Sequence, residues 1–385
     1  MGWMSDVQQK KRAIDLVHAG VPVTEVALCF GKSRQCLHKW LRRYEAEGEA
    51  GLEERSRAPH EPAHAVSEQM RRRIVQRGRR HNKDGARVVQ DWLLGLELSE
   101  RVPAASTVHR ILDEAGLVQR RRRTRAPVLQ PRPSKWPEPS APNEVWAVDF
   151  KGEFTVGGRW CHPLTLTDSY SRYVLRIDAQ QGQDTHTTQR HLWRAFRTYG
   201  LPKAIRCDNG DPFVHAAAPR GLSHLSSVWI RLGIDIQRID SGKPAQNGRH
   251  ERFHRELKRH TARPAAENFA AQQKRFARFK HRFNHERPHR ALQMSRPAAH
   301  YRPSERACPD AIPAVTHPTA ETVLRVAHDG TIRFKSRRHY LTASLGAQTI
   351  GVTEVDDALF SLSYGSMELG VITYRTKEPQ ICLVP

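Results

Sequence analysis

Residues 119–142, QRRRRTRAPVLQPRPSKWPEPSAP, cannot belong to a packed core. Four successive arginines, Arg120, Arg121, Arg122 and Arg123, repel one another, and six prolines remove backbone donors and favour extended chain. The stretch therefore reads as a basic linker, separating parts that fold on their own. Ahead of it the apolar periodicity is helical; behind it the pattern turns to strands. With 385 residues the chain has room for about two to four domains, each with its own core.

The first part, residues 1–62, predicts three helices. Ala13, Ile14 and Val17 give the first an apolar stripe that Gly20 and Pro22 end. VTEVALCF is a short second helix with Val26, Ala27 and Phe30 facing inward. Gly31 turns the chain, Ser33 caps, and RQCLHKWLRRYEAEG forms a third helix anchored by Leu37, Trp40 and Leu41. This is a helix-turn-helix pattern, whose last helix enters the major groove by its N-terminal residues. Arg34, Gln35, His38 and Lys39 are then the groove-facing side chains. Residues 63–118 form a second helical unit, helix-turn-helix or winged-helix in type, ending in the capped helix PAASTVHRILDEAGLV, with Thr107, His109 and Arg110 exposed toward DNA. A plain structural bundle with a solvated basic face is the alternative for both units.

The charge balance points the same way. Lys and Arg number 63 against 40 Asp and Glu, a formal charge of +23, which calls for a polyanionic partner. A membrane partner is excluded by a mean hydropathy of −0.66 and the lack of any apolar run near the roughly 18 residues a span needs. The N-terminus lacks the apolar core of a signal peptide, so a cytoplasmic, nucleoid-associated protein is expected. Six scattered cysteines, without a CxxC pair, support neither a zinc ribbon nor a disulfide framework.

From Asn143 three strands are expected, EVWAVDFKGEFTV, RWCHPLTLTDSY and SRYVLRIDAQ, then alternating helices and strands. That order predicts a mixed sheet covered by helices over 143–303. Asp149 sits mid-strand, pointing away from the face that takes Val148 and Phe150. Asp208 ends a strand in AIRCDNG, where ligands of open α/β sheets gather. Glu251 lies in the basic helix NGRHERFHRELKRH, sharing a face with Asn247, Arg255 and Lys258 while Phe253 and Leu257 point the opposite way. Three carboxylates without His or Cys suit a hard ion, Mg²⁺ or Mn²⁺, and two such ions can drive in-line displacement at phosphorus. A solvated Glu251–Arg255 pair worth about 0.2–0.5 kcal/mol is the alternative. Glu256, about 140° round the helix, is the competing acid. Phe269, Phe276, Phe279 and Phe283 form a row at helical spacing that reads as core. After a linker at 304–320, residues 321–385 show short alternating strands and Gly turns, expected to close as a small β-barrel.

EVWAVDFKGEF, HPLTLTDSYSRYVL, RCDNGDPF, LSSVWIRLGIDIQRIDSGKPAQNGRHERFHRELKR and FNHERPHRAL together resemble the integrase-like transposases of bacterial insertion sequences, which share a catalytic core with retroviral integrases. The resemblance covers about residues 143–300. It implies a ribonuclease-H-like fold with an acidic triad, carried onto Asp149, Asp208 and Glu251. Asp149 is then the bridge between two metal ions, with Asp208 and Glu251 holding one each. The step from Asp208 to Glu251 is longer than usual in that superfamily, and HAAAPRGLSH is the extra loop. Asp168 matches a recurrent acid of these cores and is assigned to structure; Asp211 shapes the loop after Asp208. The implied activity is cleavage at an element's terminal inverted repeats and joining of the freed 3′-hydroxyl to target DNA, by a homo-oligomer on double-stranded DNA. A DNA-binding regulator with an inactive core, and a nuclease acting on RNA in hybrids, are the competing functions. If the arginine run and the helices meet 6 to 10 phosphates, DNA affinity should fall by roughly 10³ to 10⁵ between 50 and 200 mM salt. Filter binding or anisotropy across that range checks this, and a flat response contradicts it.

Overall fold

In the computed structural model, residues 6–54, 65–81, 84–96, 98–118, 136–239, 248–376 and 379–384 are described. The chain divides into two compact units at Arg71/Arg72. In the first, α1 (Asp6–His18), α2 (Val23–Cys29) and α3 (Arg34–Glu47) enclose Ala13, Ile14, Val26, Ala27, Leu37, Trp40 and Leu52. Ser33 accepts from the Cys36 N–H at 3.3 Å, the expected N-cap of α3. Helix α4 (Glu68–Arg80) runs across the division.

The second unit opens with α5 (Ala86–Leu94) and α6 (Ala105–Glu114). The expected side-chain cap on α6 is not there: Ala104 holds the N-cap position and offers no acceptor. These helices are tied to the sheet domain by charge. Asp84, with a side chain 2% exposed, pairs with Arg77 at 3.3 Å and with Arg282, and Asp91 pairs with Arg296 at 2.8 Å.

The central sheet holds β1 (Val145–Phe150), β2 (Phe154–Val156), β3 (Arg159–Asp168), β4 (Val174–Gln180), β5 (Ala204–Cys207) and β6 (Asp235–Arg238). β3 pairs antiparallel with β1, β2 and β4, while β1, β5 and β6 run parallel. EVWAVDFKGEFTV does not form the single strand expected from its pattern. The Lys151 N–H bonds the Pro163 carbonyl at 2.9 Å, but proline has no N–H to return, and the strand breaks there into β1 and β2.

Helices α7 (Thr185–Tyr199) and α8 (His224–Arg231) cover one sheet face, with Leu192, Phe196 and Trp229 packed on Trp146, Val148 and Ile205. On the other face α9 (Gly248–Leu257) and α10 (Phe269–His281) bring Phe253, Leu257, Phe276 and Phe279 onto Val174 and Ile177. Phe276, Phe279 and Phe283 are core, as their spacing suggested, while Phe269 is only half-buried and stands outside the cluster. α10 and the turn just after it also close the edge of β4. Gln273 accepts from Ala179 N–H and donates to the Ile177 carbonyl, and the buried Asn284 does the same to both backbone groups of Val174. Side-chain amides thus occupy hydrogen-bonding positions that an incoming strand would need.

The C-terminal part corrects the barrel expectation. β7 (Thr322–Arg325), β10 (Thr349–Asp356), β11 (Leu359–Tyr364), β12 (Met367–Thr373) and β13 (Gln380–Leu383) form an open sheet in the order β13-β12-β11-β10-β7. β8 (Thr331–Phe334) and β9 (Arg337–Tyr340) make a separate hairpin. Closure is not needed, because the apolar face is covered from outside the sheet: Ala218 and Leu222 join the cluster of Val326, Leu345, Ile350 and Leu362. Those two residues belong to the HAAAPRGLSH insert, whose Arg220 N–H also donates to the Val384 carbonyl at 2.7 Å. Among the described residues no helix is long and apolar enough to cross a membrane.

Trp146 is fully buried, stacks on Phe196 at 6.0 Å and donates its indole N–H to Asn143 Oδ1 at 3.0 Å. Trp146→Ala should cost about 3–5 kcal/mol of stability. Urea unfolding measures it, and a loss below about 1 kcal/mol would remove Trp146 from the centre of the core.

Candidate functional site

Strand alternation sets the site. Trp146 and Val148 enter the apolar core on the α7/α8 side, so Ala147 and Asp149 face α9. Asp208 follows the last residue of β5, half-buried, its Oδ1 accepting from the Gly210 N–H at 3.2 Å. Glu251 is exposed in the first turn of α9. The Asp149 carboxyl registers the other two. Burial first, then the Asp208 charge and more weakly that of Glu251, push it from 3.8 up to about 7, against the opposing pull of the Phe150 N–H and Lys151. A site in which ionised acids hinder one another is the setting in which a bound divalent cation keeps all of them charged. Oxygen donors of this kind suit a hard cation, while in this structure the three acids do not bring an oxygen each within 4.8 Å of one another.

Behind Asp149 stands a polar column that sequence reasoning missed. Thr165 Oγ1 lies 2.7 Å from His250 Nε2, 2.7 Å from His254 Nε2 and 2.9 Å from the Asp149 carbonyl, and Thr167 Oγ1 lies 3.1 Å from His250 Nδ1. Burial lowers both imidazoles, His250 to about 3, so each is neutral. Counting protons then assigns the tautomers. Thr165 has a single hydrogen, which goes to the Asp149 carbonyl, so both histidines donate from Nε2. His250 Nδ1 accepts from Thr167. His254 Nδ1 is left as a bare lone pair, 3.7 Å from Asp149 Oδ2. That gap holds two acceptors and calls for a proton or a cation between them.

Asp149, His250 and His254 offer ligand atoms within 4.8 Å of one another. Both nitrogens of His250 are already engaged, so only His254 could turn toward an ion. The signal for this column was present as two histidines four residues apart on the face of α9 that carries Phe253, and two threonines two apart in LTLTD. Asp168 is structural, as assigned: Oδ1 takes the Ser171 N–H and hydroxyl at 2.7 and 2.6 Å, and Oδ2 the Asn143 N–H at 2.8 Å.

The expected DNA contacts divide. Arg34, Gln35, His38 and Lys39 are all exposed on α3 while Leu37 and Trp40 are buried beneath them. His109 and Arg110 are exposed on α6, Arg110 lying 3.8 Å from Glu114. Thr107 is a correction: it is only half-exposed, since it neighbours the fully buried Val108 and sits one turn before the buried Ile111. Arg255 and the adjoining Lys258 are exposed. Arg120, Arg121, Arg122, Arg123 and Asn247 lie outside the described residues.

Residues 139–244 and 232–297 match two families described as integrase core domain, and residues 4–53 and 36–112 match homeodomain-like domains. The chain is 33% identical over 196 residues to an uncharacterised protein of insertion element IS407 from Burkholderia multivorans, covering 50% of this chain and 66% of that protein. It is 29% identical over 185 residues to one of insertion element IS476 from Xanthomonas euvesicatoria, covering 47% and 49%. The chain thus spans just under two thirds of one relative and about half of the other. Among solved structures, the HTLV-2 integrase catalytic core domain in complex with magnesium aligns at 14% identity over 42% of this chain and 99% of that one, with a TM-score of 0.34.

The raised Asp149 has a consequence for stability. The fold holds this proton more tightly than the unfolded chain does, so the contribution of Asp149 to stability falls as pH rises from 3.8 to about 7 and is flat above. Asp149→Asn should therefore raise the unfolding free energy by about 4 kcal/mol at pH 8 in chelator, and by less than about 1 kcal/mol at pH 4. Urea titrations at the two pH values test it; equal gains at both would show that the carboxyl is not perturbed.

Proposed function

This chain carries an integrase core domain behind homeodomain-like helical domains, and from that premise we propose that it is a transposase. It binds the terminal inverted repeats of its element, frees a 3′-hydroxyl at each end and joins it to target DNA. The observation that supports this reading is the Asp149 carboxyl, set on the sheet face beneath α9, whose ionisation is opposed by burial and by the charges of Asp208 and Glu251.

Asp149, Asp208 and Glu251 are the residues that would hold Mg²⁺ or Mn²⁺, two ions in this reading. When bound, such ions polarise the phosphodiester and help activate the attacking oxygen. The chain's own groups do the rest. Thr165 fixes the Asp149 backbone and the His254 ring together, so the carboxylate meets its ligands from one orientation. Arg255 and Lys258, exposed beside Glu251 in sequence and helical phase, hold the phosphodiester by charge. No nucleophilic side chain is required: water attacks first, the freed 3′-hydroxyl second, each displacing an oxygen from phosphorus. The exposed base row of α3 supports recognition of the element end, by groove contacts from Arg34, Gln35, His38 and Lys39. Bringing two ends to one target calls for more than one copy of the chain on DNA.

Asp149→Asn, Asp208→Asn and Glu251→Gln should each lower cleavage and strand transfer on labelled repeat ends on the order of 10³-fold or more, with end binding nearly unchanged. A Glu251→Gln protein that still joins ends would break the assignment. Wild-type chain that binds ends in Mg²⁺ but never cuts them would support an inactive-core regulator instead.

A further inference from the structure

One row further along the sheet from Asp149 and Asp208 there is a cavity of about 180 Å³, well above the roughly 10–15 Å³ that one water needs. Its floor includes Ala147 of β1 and, in register with it, Arg206 of β5. Each lies two residues before an acid of the candidate triad. Arg206 is only 8% exposed, and its guanidinium reaches Gln237 Oε1 at 2.8 and 3.2 Å, a neutral partner. Arg172 enters from the β3–β4 turn. Its backbone is left-handed, φ +66°, a conformation costly for a bulky residue, and the Asp168 side chain clamps that turn through Ser171. Arg172 Nε is buried with no hydrogen-bond partner. Among the described residues neither Arg172 nor Arg206 has a carboxylate within ion-pair distance. Arg249, at the start of α9, donates to the Ser169 carbonyl at 3.2 Å and pairs with Glu138.

The acids that line the cavity are already spent. Asp168 is used by Ser171 and Asn143, and Glu256 by Arg287 at 2.8 Å and His260 at 3.6 Å. Buried cations without counter-charge are expensive, and a strained turn that aims one more guanidinium inward adds to that cost. The negative charge that acts on both Arg172 and Arg206 is Glu138, paired with Arg249 and with its side chain 67% exposed on the segment leading into β1.

We propose that this cavity is a binding site for a phosphate-class oxyanion, gripped by Arg172, Arg206 and Arg249, and that Glu138 stands in for the anion until one arrives. Guanidinium forks match two oxygens of one phosphate at a time. A backbone phosphate of a DNA strand and free phosphate or pyrophosphate share this chemistry. Only the choice of a strand as the source rests on the DNA-processing reading above.

The test is calorimetric titration of inorganic pyrophosphate into the full chain in chelator, followed by competition with a short single-stranded oligonucleotide. Saturable binding is expected. Glu138→Gln should tighten it about tenfold and Arg172→Gln weaken it about tenfold, with Arg172→Lys between the two, since charge returns without the fork. Thermal melts confirm that each variant is folded. Asp149→Asn should bind pyrophosphate as the parent does, which separates this site from the metal-holding acids. Competition by the oligonucleotide identifies a strand phosphate as the occupant; its absence identifies free anion. No pyrophosphate binding by either the parent or Glu138→Gln, or equal binding by Arg172→Gln, overturns the proposal.

Discussion

A carboxylate on the inner face of a helix-covered sheet is the constraint from which the rest of this architecture follows. β1 must send Trp146 and Val148 one way and Ala147 and Asp149 the other, because its side chains alternate. The first direction permits an unbroken apolar core under α7 and α8. The second brings a charge beneath α9, and the helix answers with polar groups where it crosses β1 and β3: His250 and His254 meet Thr165 and Thr167, and the apolar contacts of Phe253 and Leu257 fall on β4.

The same need for compensation shapes the surroundings. Gln273 of α10 and Asn284, in the turn just after it, supply amides to the edge of β4. The insert between Asp208 and α8 covers the apolar face of the C-terminal sheet with Ala218 and Leu222. What reads in the sequence as a lengthened loop is therefore a docking pad, and the open C-terminal sheet needs no barrel closure to bury its core. Asp84 and Asp91 fasten the second helical unit to the sheet domain by charge, with Asp84 almost wholly enclosed.

The three helices of the first unit, the core positions of Phe276 and Phe279 on α10 and the facing of Asp149 were legible because each depends on local periodicity and on caps within a few residues. The strand break at Lys151 was not, since it comes from Pro163 on a different strand. The histidine–threonine column was equally hidden, although both pairs are visible as spacings: α9 and β3 are more than 80 residues apart in the chain, and only packing puts one against the other. The half-burial of Thr107 escaped for a smaller reason: it neighbours the buried Val108 and lies one turn before the buried Ile111.

By itself the sequence determined the order of helical and strand-forming parts, the basic character of the chain and the placing of acids at a strand middle, a strand end and a helix, because alternation, helical phase and charge are properties of neighbours along the chain. Tertiary structure alone decided that Asp149 feels Asp208 and Glu251, that His254 turns a bare nitrogen toward it and that Arg172 and Arg206 meet one row away with no carboxylate at ion-pair distance among the described residues. Those are matters of burial and of distance through space, and a charge's cost is set by what surrounds it once the chain has folded.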